Sequence, residues 1–159
     1  MGFALSDMQL TSTAFKQDGE IPIKYSGDGE DVSPELSWNN VPDNTKGFAV
    51  ICHDPDAPLI TADGTYGFVH WVLYNIPGSV NSLEEGTDQY TTGKNDFGNI
   101  GYGGPAPPNG HGTHRYYFWI LALKEETNLK PGLTLWELLQ ELEPKLTGIN
   151  RLVGTYRRD

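Results

Sequence analysis

The chain has 159 residues, of which 37% are hydrophobic and 11% aromatic, and 21 acidic against 11 basic side chains give a formal charge of −10. That apolar content is too high for a disordered chain, and a domain of this length buries about two-thirds of the surface its unfolded form exposes, enough for a core without cross-links. The negative surface repels nucleic-acid phosphates, no apolar run approaches the ~20 residues of a membrane span, and the single cysteine, Cys52, rules out an intrachain disulfide and a four-cysteine metal cage.

Nineteen glycines and eleven prolines separate short alternating or apolar runs, the pattern of an all-β domain. Residues 8–15 read as a first strand, with Met8 and Leu10 on one face. Ile21, Ile23 and Tyr25 alternate in a second extended piece, ended by the turn Ser26-Gly27-Asp28-Gly29. Residues 36–38 give a third strand, bounded by Pro34 and Pro42. Residues 48–53 and 67–74 are apolar on both faces, so they belong at the centre of a sheet with layers packed above and below. Residues 96–112 are crowded with glycine and proline and have little capacity for regular structure. A loop of that length in a compact domain is functional or disordered, and Tyr102 with the rigid prolines favours order. Residues 115–123 return as an aromatic-rich strand. Thr134-Leu135-Trp136-Glu137 has the spacing of a capping box. Leu135, Leu138, Leu139 and Leu142 then form the buried stripe of a helix stopped by Pro144, and residues 149–156 close the chain as a strand. The sum is one domain over residues 1–159, an all-β sandwich of two sheets with one or two short helices.

Chemistry-bearing residues gather at strand ends and beside the long loop. His70 sits in the middle of a two-faced apolar strand, where a core histidine bonded to a backbone carbonyl is the ordinary alternative to a ligand-binding one. His114 ends the glycine-proline loop. Asp54 and Asp56 follow the other central strand, where their ordinary role is to cap turn amides. Cys52 and His53 are neighbours on a strand and point to opposite faces, so they cannot pair as thiol and base. No Gly-x-Ser-x-Gly elbow, phosphate-binding loop or dinucleotide fingerprint is present. His70, His111, His114 and Asp54 are of the right types for zinc, but His111 and His114 lie on a segment that does not fix ligand geometry, and no metal is expected. Buried histidines beside a rigid glycine-proline loop, with Asp54 to orient one of them, suit a small anion. Imidazolium donors and loop amides bind oxyanions, and a carboxylate beside a histidine favours its charged form.

Three segments give the chain a family likeness: Asp54-Pro55-Asp56-Ala57-Pro58, then Phe68-Val69-His70-Trp71-Val72, then Gly110-His111-Gly112-Thr113-His114-Arg115-Tyr116. Together with Asp31-Val32-Ser33-Pro34-Glu35-Leu36-Ser37-Trp38 and the ending Leu152-Val153-Gly154-Thr155-Tyr156, they resemble the phosphatidylethanolamine-binding protein family, in its bacterial and archaeal Raf-kinase-inhibitor-like branch. The resemblance implies two packed antiparallel sheets in a Greek-key arrangement. It also implies a small pocket for phosphate, phosphorylated headgroups or similar anions, walled by Asp54, His70, Pro108, His114 and Tyr116 and framed by Asp56 and Pro58. Ala106 stands where many eukaryotic members have glycine, and the C-terminal segment of mammalian members is missing, so neither phospholipid binding nor kinase inhibition is carried over.

The expected function is therefore that of a cytoplasmic, non-enzymatic binder of a phosphate-type anion, with no cofactor, no nucleic-acid partner and no membrane span. It would modulate a protein partner such as a kinase or protease. The alternatives are an inhibitor acting through a surface separate from the pocket, or a hydrolase or metal enzyme built on His70, His114 and Asp54. A homodimer is expected, with Trp136 as a candidate two-fold contact. If His70 and His114 both donate to the anion, affinity falls as pH rises through their free-state values, about 6.5 unless burial lowers them.

Overall fold

Strands that are apolar on both faces need two packing partners, and the arrangement of the chain follows from supplying them. The computed structural model describes residues 5–57 and 66–159. In chain order the elements are β1 (Gln9–Thr11), β2 (Gly19–Glu20), a 3₁₀ turn (Ile23–Tyr25), β3 (Leu36–Asn39), β4 (Gly47–Asp54), β5 (Phe68–Pro77), β6 (Ser82–Leu83), β7 (Thr91–Thr92), β8 (His114–Leu123), α1 (Leu135–Leu142), a second 3₁₀ turn (Glu143–Lys145) and β9 (Leu146–Tyr156). They form a small sheet ordered β1-β3-β6 and a large one ordered β2-β9-β8-β4-β5-β7.

The pleat of β4 divides the core in two. Phe48, Val50 and Cys52 face the small sheet, against Leu10, Leu36 and Trp38. Ala49 and Ile51 face the other way, against Leu138 and Leu142 of α1. Each such fully buried large side chain contributes about 1.5–3 kcal/mol, so the two-sided pattern read from residues 48–53 and 67–74 is the main source of stability. α1 is too short to stand alone. Its capping box is formed, with Glu137 N donating to Thr134 Oγ1 and Thr134 N to Glu137 Oε1, both at 3.1 Å.

Four details depart from the sequence expectation. The first strand stops at Thr11, because Ser12 Oγ and the Glu35 carboxylate take over the hydrogen bonds of residues 12–14. Residues 23–25 are a 3₁₀ turn rather than a strand, since Tyr25 N donates back to the Pro22 carbonyl at 3.0 Å. One ladder is not antiparallel: β2 runs parallel to β9. On α1, Leu138 and Leu142 are fully buried, whereas Leu135 and Leu139 only edge a groove of about 380 Å³ on the outer face of the large sheet. Trp136, the candidate two-fold contact, is 56% exposed.

Cys52 lies in the inter-sheet core at 1% exposure, and burial pushes its thiol well above the ordinary range. The thiolate is the reactive form. Native protein should therefore react with a disulfide reagent orders of magnitude more slowly than urea-unfolded protein, as a colorimetric thiol assay would show; comparable rates would place the thiol at the surface.

Candidate functional site

One irregularity in the ladder creates the site. Along β4 and β5, Cys52 pairs with Trp71 while His53 pairs with Val69, so His70 is an extra residue without a partner. This is a β-bulge, a device that re-aims a side chain. Trp71 faces the inter-sheet core and Val69 the helix layer. The bulge turns His70 to the same side as Trp71, where its ring meets Tyr116 at 5.1 Å and Phe68 at 4.9 Å between centroids.

The long loop then fixes the His70 ring from two directions. His70 Nδ1 donates to the Gly103 carbonyl at 2.7 Å, and Gly103 N donates to the His70 carbonyl at 2.9 Å. The next residue anchors the loop, with Gly104 N bound to Asp31 Oδ1 at 2.7 Å. Glycine is required at 104 because a Cβ there would overlap the Tyr25 carbonyl oxygen. His70 is 3% exposed, and burial pushes its imidazole down to about 4. The ring is neutral above that value. Burial thus lowers the value of this ring in the ligand-free protein, the exception that the expected pH dependence of binding allows for.

The end of β4 supplies a second group. Asp54 Oδ2 accepts from His114 Nδ1 at 2.7 Å, and both side chains are at most 4% exposed. Asp54 Oδ1 meanwhile accepts from Asp56 N at 2.8 Å, so the turn-capping role and the histidine-holding role belong to one carboxylate. His114 Nε2 faces His111 Nδ1 at 2.9 Å. Because Asp54 takes the Nδ1 proton, one proton must lie between His114 and His111 to make the second bond. Asp54, His114 and His111 thus form a relay from the buried strand end to the surface.

These groups meet in a cavity of about 250 Å³, whose wall includes Asp54, His70, Pro108, His111, His114 and Tyr116. Five of the seven residues expected from sequence are brought together here. Asp56 is not among the lining residues; its Oδ2 accepts from Arg115 N at 2.7 Å and pins the start of β8. Pro58 lies outside the described residues. Phe68 and Phe97, whose rings pack edge-on at 4.7 Å, complete an aromatic side that the sequence reading missed. His111 had been weighed only as a metal ligand, and its three-residue spacing from His114 was the signal. Burial pushes the Tyr116 hydroxyl above its ordinary range, so it stays protonated, and it has no hydrogen-bond partner among the described residues.

The far side of the loop is braced by the chain end. Arg158 forks onto Asp28 at 2.6 and 3.0 Å, donates to the Pro107 carbonyl at 3.1 Å, and accepts from Gly110 N through its own carbonyl at 2.9 Å. Cys52 faces the core while His53 Nε2 donates to the Tyr66 carbonyl at 2.8 Å on the opposite face, which separates thiol from imidazole as the pleat requires.

Fold and site together define a two-sheet ligand-binding β-sandwich with its cavity at one end of the large sheet. The sequence model of the phosphatidylethanolamine-binding protein family matches residues 11–157, and the chain belongs to that family. It is 41% identical over 159 residues to the UPF0098 protein of Aquifex aeolicus, covering 96% of this chain and 90% of that one. Among solved structures, a phosphatidylethanolamine-binding protein homologue of Chlamydia trachomatis superimposes with a TM-score of 0.86 at 39% identity, covering 96% of this chain and 98% of that one. Escherichia coli YbcL, described as a member of the mammalian phosphatidylethanolamine-binding protein family, gives 0.86 at 29% identity and covers 97% and 100%.

Proposed function

We propose that the protein binds a small phosphate-type anion in this cavity and performs no covalent chemistry on it. The observation that carries the reading is the convergence of Asp54, His70, His114 and Tyr116, each at most 3% exposed, on one cavity in which the protonated Tyr116 hydroxyl has no partner among the described residues. A hydroxyl that opens on a cavity and has no partner of its own is free to donate to a bound oxyanion. The family is named for binding a phosphate-bearing headgroup, which supports the same ligand class. Among the described residues, no serine, threonine or cysteine lines the cavity to serve as a nucleophile, which favours binding over hydrolysis.

Titration of isotope-labelled protein with inorganic phosphate, followed by amide NMR, tests the reading. Shifts should map to residues 54–56, 68–70 and 103–116. Tyr116→Phe removes a hydroxyl that no described residue uses, so the fold should persist while affinity falls by about three- to tenfold, the worth of one hydrogen bond. Absence of shifts at tens of millimolar phosphate would remove the anion site.

A further inference from the structure

The cavity holds one polar atom whose hydrogen-bonding sense is fixed. A backbone carbonyl can only accept, so the 2.7 Å contact to Gly103 places the proton of His70 on Nδ1. The neutral ring then turns an unprotonated Nε2, an acceptor, to the cavity, and Nε2 has no hydrogen-bond partner among the described residues. Protonating it would put a charge among the rings of Phe68, Phe97 and Tyr116, all with centroids within 5.4 Å. The charged groups around it act in opposite senses: Asp54 favours the cation, His53 opposes it, and burial outweighs both in holding the ring down to about 4. A fully deprotonated oxyanion would therefore bring lone pairs against a lone pair, next to the Asp54 carboxylate.

Building on the anion-site reading above, we infer that the cavity selects phosphate ligands that carry a proton, meaning a phosphate monoester or inorganic phosphate in its singly ionised form, and rejects phosphodiesters and sulfate esters. The P–OH donates to His70 Nε2, while a remaining oxygen accepts from the Tyr116 hydroxyl. A phospholipid headgroup still joined to its glycerol is a diester with no P–OH, so the site discriminates the released phosphomonoester from the intact lipid. The principle is that a site built to bond a ligand hydroxyl penalises an analogue lacking it far more than an apolar site penalises a change of size.

Methyl phosphate and methyl sulfate provide the test, because at pH 5 they are close in shape and both mainly carry one negative charge, the phosphate ester's second ionisation lying near 6. They differ by a single proton. Calorimetry on the intact chain should find methyl phosphate tighter than methyl sulfate by about three- to tenfold, the worth of one hydrogen bond. Dimethyl phosphate should be as weak as the sulfate, and inorganic phosphate run alongside distinguishes the free ion from the ester. Nitrogen-15 NMR should show His70 Nε2 unprotonated in the free protein and hydrogen-bonded with methyl phosphate. His70→Phe, which keeps the ring packing, should level the two esters; should that variant not fold, the wild-type ratio and the His70 nitrogen signal still decide. Equal affinity for methyl phosphate and methyl sulfate, or a protonated Nε2 in the free protein at pH 5, would overturn proton selection and leave the anion site standing. No binding of either ester or of inorganic phosphate at tens of millimolar would overturn the anion site and this inference with it.

Discussion

His114→Ala is expected to destabilise the fold by about 1–3 kcal/mol, the cost of leaving a buried carboxyl oxygen without its hydrogen-bond donor. Asp54 is 2% exposed, and His114 Nδ1 is the only side-chain donor to its Oδ2 among the described residues. Removing the imidazole leaves a carboxylate facing Tyr116 and the neutral His70, with only the Asp56 amide to steady it. The double replacement Asp54→Asn, His114→Ala should recover part of the loss, because it removes the stranded acceptor as well as its donor. A double-mutant cycle by urea denaturation reads the coupling directly. A single-mutant loss below about 1 kcal/mol would mean that water reaches Asp54 and that the pair behaves like a surface one. His111→Ala is the contrasting case: His111 is exposed, so its loss should barely move the midpoint while removing one end of the relay.

Much of this was legible in the sequence, for physical reasons. Residues 48–53 show apolar character on both faces, and only a central strand between two layers satisfies that, so β4 and its two-sided core followed directly. The capping box at Thr134 was legible because its two hydrogen bonds depend on a spacing of three residues and on nothing distant. The site was legible in membership but not in chemistry. Family resemblance put Asp54, His70, His114 and Tyr116 in one wall, and they do line one cavity. What no local pattern announces is the bulge at His70, since an extra residue is defined by the register of the neighbouring strand. Nor could the sequence give the His70 charge state, which depends on a carbonyl 33 residues away and on the rings packed around it. Residues 23–25 failed for a related reason: alternation is necessary for a strand, but without a neighbouring edge to pair with, Pro22 and Tyr25 close a local turn instead.

Burial of His70 should leave a signature in the pH dependence of stability. Its folded value of about 4 lies below the ordinary 6.5. Between those values the unfolded chain takes up a proton that the folded chain refuses, so stability rises with pH there. The contribution is fully present above about 6.5 and is lost as pH falls toward 4, amounting to about 3 kcal/mol over the whole interval and about 2 kcal/mol by pH 5. His70→Phe keeps an aromatic ring against Phe68, Phe97 and Tyr116 but cannot titrate. At pH 7 the variant should be less stable than wild type, because the Gly103 carbonyl loses its side-chain donor. Toward pH 5 that gap should close by about 2 kcal/mol, since wild type alone carries the His70 penalty while the other titrating groups cancel in the difference. Urea midpoints for the two proteins at pH 7, 6 and 5 measure the closing gap. A constant difference would mean that His70 accepts its proton as readily folded as unfolded, and that the Nε2 facing the cavity is a donor after all.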